Sequence, residues 1–341
     1  MHKEQPINFR SDNVAAAAPE VLAGLAQLGR AAAGPYGDDE ETRILPATLM
    51  ATFGRLCVGW PLPTGTAANA MTIGALLPEG GTVICHERAH AFRSEEGATV
   101  HANPAITFLP LPGEDGRIER VSLQKAIGDL RGPAVLTLTQ ANEFGCAYDL
   151  DALSTLGGLA HHHGVRVHID GARLGPACRA LGVSPQDVVA AARPDALSLG
   201  LTKAGTIDTD VAVFFSGSLP ARWSATLRRS GFLVSKARYQ SNQIRTLLED
   251  GLWLRLADRS VEMANRLRRG LEQSPAVVSV RPSQSNLLLV EFTSAVQAEL
   301  ASSRFLVKRW QDPPWLRLVT SFATTPSEVD TLLGWLSQRQ S

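Results

Sequence analysis

Short apolar runs recur along this chain, each followed by a stretch whose apolar positions return every three or four residues. The runs "GTVICH" (81–86), "AITFLPL" (105–111), "AVLTLT" (134–139), "VRVHID" (165–170), "ALSLGL" (196–201) and "VAVFF" (211–215) are rich in Val, Ile, Leu and Thr. Their length and content suit strands that are apolar on both faces. Between them, "DLDALSTLGGLAHHHG" (149–164) reads as a helix, capped by Asp149 or Asp151 and closed by Gly164. Strand–helix alternation of this kind predicts an α/β fold with a mostly parallel sheet covered by helices.

After about residue 218 the texture changes. Residues 219–273 carry a nearly continuous helical pattern, with Gly251 and Gly270 as its punctuation. "VVSVRPSQSNLLLVEF" (277–292) and "WLRLVTSFATTPSEVDTLLGWLSQ" (315–338) then read as strands and a closing helix. The expected division is a large domain over 1–245 and a smaller C-terminal α/β domain over 246–341.

Bulk composition narrows the function classes. The chain has 341 residues, 44% hydrophobic and 19% charged, which is ordinary for a globular protein. Lys plus Arg equals Asp plus Glu at 33 each, so charge gives no case for nucleic acid or an anionic membrane surface. Cys57, Cys85, Cys146 and Cys178 form no C-x-x-C pair, and are expected to be reduced, buried thiols in a cytoplasmic protein. The opening "MHKEQPINFRSDN" lacks the apolar core of a signal peptide, and no stretch has the length of a membrane span. The run His161–His163 does not predict a metal site, because consecutive helical positions point about 100° apart.

Candidate chemistry gathers where strands end. "VRVHIDGARLG" (165–175) stops an apolar strand on Asp170 and places Arg173 three residues on; "LTKAG" puts Lys203 just past another run. Each alone reads as a turn residue. Together, thirty-three residues apart, Asp170 and Lys203 fit one strand–helix–strand unit and the needs of pyridoxal phosphate. That coenzyme requires a lysine amine for its aldehyde and an acid at its pyridine nitrogen. In "PTGTAANAMTIGALL" (63–77), Thr64, Gly65 and Thr66 open a helix of small residues that could cradle a phosphate, with no acidic residue between Arg55 and Pro78. His86 and His90, after the strand "GTVICH", offer an imidazole to lie on a coenzyme ring. No G-x-G-x-x-G follows an early strand, which argues against a dinucleotide-binding oxidoreductase.

The set "FRSDN" (9–13), "YGDDEET" (36–42), "TGTAAN" (64–69), "AHAFRSEEGA" (89–98), "HIDGARL" (168–174), "LTKAG" (201–205) and "LRLVTSF" (316–322) resembles the L-threonine aldolases. Order and spacing match from Phe9 to about Leu333. The resemblance implies fold type I of the pyridoxal-phosphate transferases, with a mostly parallel seven-stranded sheet in the large domain and a smaller C-terminal domain. It also implies retro-aldol cleavage of L-threonine and related β-hydroxy-α-amino acids to glycine and an aldehyde. By position, Lys203 resembles the Schiff-base lysine and Asp170 the partner of the pyridine nitrogen. Thr64, Gly65 and Thr66 match the phosphate loop, and His90 the stacked histidine. Ser11, Arg173 and Arg317 resemble the groups that hold the substrate carboxylate; Arg229 and Lys236, in "RRSGFLVSKAR" (228–238), are taken as further phosphate contacts. The expected base is His90 or a water it orients, with Glu95 next. No metal is expected, from the cysteine spacing and the divergent histidines; the resemblance implies a homodimer or homotetramer with Tyr36 near a neighbour's site.

The sequence also departs from that pattern. After "AVLTLT" many members carry a Thr-His pair, whereas this chain reads "QANEFGCAY" (140–148), with Glu143 in that neighbourhood; after the lysine stands "AGTIDTD". A β-eliminating lyase or aminotransferase of the same fold is the alternative reading, and a catalytically retired binding module is a further one.

Overall fold

The computed structural model describes residues 5–29, 32–310 and 314–339, so Met1–Glu4 of the opening stretch lie outside it. The strands, in chain order, are β1 (Ile7–Asn8), β2 (Val58–Leu62), β3 (Gly81–His86), β4 (Ile106–Leu111), β5 (Ala134–Thr139), β6 (Arg166–Gly171), β7 (Ala196–Leu199) and β8 (Asp210–Phe214). They continue as β9 (Val277–Val280), β10 (Leu287–Phe292), β11 (Phe305–Leu306), β12 (Lys308–Arg309) and β13 (Leu316–Val319).

Among the described residues, one sheet of seven strands has the order β2-β8-β7-β6-β5-β3-β4. The five strands from β7 to β4 are parallel to one another; β8 runs antiparallel to β7, and the edge strand β2, antiparallel to β8, takes the direction of the five again. Helices cover both faces, which is why every residue of β5 is buried and the strand reads as an unbroken apolar run. The six strands expected from the sequence all form, within a residue or two of their expected ends. The edge strand β2 was not expected: "VGWPL" carries Gly59 and Pro61, and pairs on one side only, where proline is tolerated. Asp149 caps the helix Leu150–His162 by accepting from the Ala152 N–H at 2.7 Å, and Gly164 follows in a left-handed turn at φ +72°. Its histidines do not converge: His161 reaches Asp195 at 3.2 Å while His162 and His163 pack edge to face.

A second sheet, β12-β13-β10-β9, is antiparallel and carries the helices Leu252–Glu272 and Pro326–Ser337 on its apolar core. Ile7 and Phe9 belong to that core, and β1 pairs in parallel with β11, Ile7 opposite Phe305. The helical stretch 219–273 resolves into Trp223–Arg229, Ala237–Leu248 and Leu252–Glu272. Gly251 separates two of these helices, as expected, but Gly270 does not punctuate. It sits inside the last one, where a Cβ would come within 2.4 Å of Leu333 Cδ1, so its smallness serves helix packing.

Candidate active site

In an open α/β sheet, ligands sit beyond the carboxyl ends of the strands where the strand order reverses. Here the reversal lies between β3 and β5, since the chain goes out from β3 to β4 and returns to the other side of β3. Beyond those ends lies a cavity of about 270 Å³ lined by Thr64, Gly65, Thr66, Asn69, His90, Glu95, Asp170, Lys203 and Asp210.

Asp170 closes β6. One carboxylate oxygen accepts from the Ala172 N–H at 3.1 Å, turning the chain, and the other accepts from Asn69 Nδ2 at 3.1 Å. The strand ends in a buried acid because both oxygens have donors waiting. Lys203 lies on a short 3₁₀ turn just past β7, the parallel neighbour of β6. Asp210, at the start of the antiparallel β8, fixes that turn by accepting from the Leu201 and Thr202 N–H groups at 2.6 and 2.8 Å.

The helix Gly65–Leu76 begins at the same edge. Thr64 caps it, its hydroxyl accepting from the Ala67 N–H at 3.0 Å. Among the described residues the N–H groups of Gly65 and Thr66 have no partner and remain for an anion. The expectation that no acid stands near this cradle is corrected: a Cβ on Gly65 would lie 3.6 Å from Asp210 Oδ2. The acid comes from 145 positions away in the chain, so local sequence could not show it. Burial holds the Asp210 carboxyl above its usual range, against the pull of the Thr202 N–H and Lys203, which weakens its repulsion of an anion.

Of the two candidate histidines, His86 is taken up by structure. Its ring bonds the Gly113 carbonyl at 3.0 Å and accepts from the Arg88 N–H at 3.0 Å, which removes it as a stacking group. His90 opens onto the cavity and is held from behind, its Nδ1 2.9 Å from Glu95 Oε1. That oxygen also accepts from Asn69 Nδ2 at 2.9 Å. One amide nitrogen thus links the carboxylate behind the histidine to the carboxylate at the end of β6. The bond to Glu95, against desolvation, raises the His90 pKa above its ordinary value; burial raises that of Glu95.

On the other side of Lys203, Arg173 has a partner that the sequence reading did not foresee. Arg173 and Arg317 were expected to clamp a carboxylate together. Arg173 is instead buried and paired, its Nε and Nη2 donating to the two oxygens of Asp12 at 2.8 and 2.9 Å. Asp12 accepts a third bond from Asn286 Nδ2 at 3.1 Å. Burial alone would raise its pKa, but Arg173, Lys203 and Asn286 overcome that and bring it down to about 2. Arg317, on β13, spends one nitrogen on the Arg10 carbonyl at 3.0 Å, and its buried Nε has no partner among the described residues. Burial, then the neighbouring Arg173, lowers its pKa, the signature of a guanidinium short of anions. Ser11 stands beside this group, its hydroxyl turned to its own loop by the Asn13 N–H at 3.2 Å.

A model of the beta-eliminating lyases matches residues 8–294, more than four-fifths of this sequence. The chain belongs to the beta-eliminating lyase family. Among its relatives is the low specificity L-threonine aldolase of Pseudomonas aeruginosa, 31% identical over 85% of this chain and 86% of that one. Among solved structures, the threonine aldolase of Leishmania major superposes with a TM-score of 0.90 at 23% identity, covering 98% of this chain and 99% of that one. A structure of SPT with PLP gives 0.70 at 18% identity, over 98% and 87%. The last two likenesses show the fold, which is that of the type I enzymes.

Two expected contacts of this lyase-family chain lie elsewhere. Arg229 and Lys236 are exposed and do not line the cavity. They flank a surface on which Tyr36, at φ +58°, is stacked by Arg228 with its N–H bonded to the Ser235 carbonyl at 3.0 Å. The roles of Asp12, Asn69 and Asp210 escaped the sequence. Asn69 and Asp12 sit inside the motifs "TGTAAN" and "FRSDN", so position marked them, but their partners lie far along the chain.

The donor set fits pyridoxal phosphate. An amine and a carboxylate line one cavity, and free N–H groups at a helix start supply the anion end. Two buried oxygens, Asn69 Oδ1 and Glu95 Oε2, have no partner among the described residues and leave the wall polar.

Proposed function

We propose that this protein is a pyridoxal-phosphate-dependent aldolase that cleaves L-threonine and related β-hydroxy-α-amino acids reversibly to glycine and an aldehyde. The observation that carries the reading is the placement of Lys203, Asp170 and the Thr64–Thr66 helix start around one cavity. Lys203 would hold the coenzyme aldehyde, Asp170 the pyridine nitrogen and Thr64, Gly65 and Thr66 the phosphate, with His90 over the ring. When bound, the coenzyme supplies a sink for the electron pair released as the Cα–Cβ bond breaks.

The chain's own residues do the rest. Arg317 takes the substrate carboxylate, and Ser11 lies beside it; a guanidinium with a donor to spare suits a planar carboxylate. Arg173, locked to Asp12, acts as the fixed wall behind that site and keeps the N-terminal loop in place. Glu95 fixes the ring of His90 and Asn69 ties both to Asp170, so the histidine face and the acid keep their relative position through turnover.

A second copy of the chain completes this reading as a homodimer or homotetramer. Tyr36, Met50, Leu56 and Val234 leave apolar side chains exposed, and Arg229 and Lys236 stand by to meet a neighbour's phosphate. Four buried free thiols fit a reducing cytoplasm.

The test is direct. The purified protein loaded with coenzyme should be yellow and release glycine and aldehyde, without keto acid, from a panel of β-hydroxy amino acids. Lys203→Ala should lose the colour and several orders of magnitude of turnover. A loaded protein that releases no aldehyde from any of them, or that forms keto acid instead, refutes the reading.

A further inference from the structure

We propose that Asp210 is a coenzyme-binding residue that acts as an acid, keeping its proton and donating it in a hydrogen bond to the phosphate at the Thr64–Thr66 helix start. The proposal rests on the coenzyme reading above and deepens it, by assigning the group that meets the anion from the sheet side. The proton stays on the carboxyl oxygen, and no bond to phosphorus forms or breaks.

Two strand pairings bring Asp210 there. β8 runs against β7, so its first residue stands at the edge where the parallel strands finish. β8 also pairs with β2, Asp210 opposite Leu62, and the chain leaves Leu62 for the cap Thr64 and the free N–H groups of Gly65 and Thr66. Asp210 is 4% exposed and lines the same cavity as Thr64, Gly65, Thr66 and Lys203. Its two oxygens have separate tasks. Oδ1 accepts both N–H groups of the Lys203 turn, from Leu201 at 2.6 Å and Thr202 at 2.8 Å. Oδ2 faces the cradle, 3.6 Å from where a Cβ on Gly65 would stand, and takes no hydrogen bond of its own among the described residues. An anion seated on the Gly65 and Thr66 N–H groups meets that oxygen.

A carboxylate and a phosphate dianion in contact repel, and a proton held between them relieves the repulsion at the contact itself. Few charges compete for that role. Of the elements packed on Asp210, β2, β7 and the helix Gly65–Leu76 carry no titratable side chain. The turn supplies Lys203, whose amine the reading above gives to the coenzyme aldehyde. Asp208, in the loop between that turn and β8, is taken up by Thr209 Oγ1 and Gln243 Nε2, at 3.2 and 3.0 Å. The remaining titratable groups of the cavity wall are His90, Glu95 and Asp170; the two acids add no cation, and His90 has its Nδ1 on Glu95. Arg229 and Lys236 lie outside this cavity and can reach the phosphate only from a second copy. Burial agrees with the geometry: it favours the protonated carboxyl, against the Thr202 N–H, Lys203, the Leu201 N–H and the Thr202 hydroxyl. That hydroxyl is itself buried and completes no hydrogen bond among the described residues.

Asp210→Asn and Asp210→Ala decide it, together with carboxyl carbon NMR of the coenzyme-free protein. The amide keeps an oxygen for the Leu201 and Thr202 N–H groups and can still donate to the phosphate; alanine can do neither. In the parent saturated with inorganic phosphate at about pH 8, where an ordinary aspartate is ionised, one aspartate carboxyl should remain protonated, and its signal should be missing from Asp210→Asn. The phosphate's share of binding is the affinity for pyridoxal phosphate relative to pyridoxal, a ratio that cancels effects on the Lys203 turn. Asp210→Asn should keep that share, and Asp210→Ala should lose about 10- to 100-fold of it. An ionised Asp210 in the phosphate-bound parent overturns the assignment, as does an Asp210→Ala protein that keeps the phosphate's share or an Asp210→Asn protein that loses it. If neither variant folds, the parent spectrum decides alone: no protonated aspartate carboxyl with phosphate bound overturns it. Failure to bind either phosphate overturns it as well. Inorganic phosphate and the carboxyl signal are read without coenzyme or turnover. A protein that holds phosphate on a protonated Asp210 but releases no aldehyde therefore keeps this assignment and loses the aldolase reading.

Discussion

Removing the charge of Asp12 tests the energetics of the site wall most sharply. Asp12 and Arg173 are 2% and 9% exposed, so neither charge has water to fall back on when the other is lost. The fall of the Asp12 pKa from 3.8 to about 2 corresponds to about 2–3 kcal/mol in favour of the folded, ionised form. Because the folded value is the lower one, this contribution is complete above about pH 4 and disappears as the pH falls toward 2. Asp12→Asn also strands the Arg173 guanidinium in the interior, and should cost about 3–5 kcal/mol at neutral pH. Arg173→Met, which leaves Asp12 unpaired, should cost a similar amount. The double variant should lose less than the sum by about 2–3 kcal/mol, because neither stranded charge remains. Urea unfolding of the coenzyme-free proteins, followed by tryptophan fluorescence, measures all four corners, and Trp253 lines the small cavity beside this pair. Additivity within about 0.5 kcal/mol, or single costs below about 1 kcal/mol, would show that the pair does not act as a buried unit.

Four further outcomes follow from the same geometry. Gly157→Ala should destabilise by about 1–3 kcal/mol despite alanine's better helix propensity, since its Cβ would meet the Ala192 carbonyl oxygen at 2.4 Å. Gly334→Ala, exposed in the closing helix with nothing within 4 Å, should instead raise stability by about 1 kcal/mol; thermal unfolding separates the two signs. Glu95→Gln removes the carboxylate that raises the pKa of His90, so the histidine should release its proton at a lower pH, measured by the titration of its ring protons in NMR. The thiols of Cys57, Cys85, Cys146 and Cys178 are buried and pushed up to about 11, 12, 11 and 12 by desolvation. They should resist alkylation at pH 8 in the native protein, and all react in urea, counted by mass spectrometry.

What could be read from the sequence was local. Apolar runs on both faces mark β3 to β8, and the polar residues that end the runs of β3, β5 and β6 mark the edge where Asp170 stands, with Lys203 just past β7. Thr64 announces its helix because a cap acts over three residues. What escaped depends on distance along the chain. Arg173 looked available for a ligand carboxylate because its partner is 161 positions earlier. The cradle looked free of acids because Asp210 reaches Gly65 through the antiparallel turn of β8. Gly270 looked like a helix break because only the packed Leu333 gives its small size a purpose.

The pairing of Ile7–Asn8 with Phe305–Leu306 has a consequence for synthesis. The strand Ile7–Asn8 lacks its pairing partner until the chain 298 positions later has been made, so this contact must close late in folding. A bulky fusion on the amino terminus, or removal of the first nine residues, would therefore strike late folding, and its mark would be a soluble but unclosed intermediate during refolding.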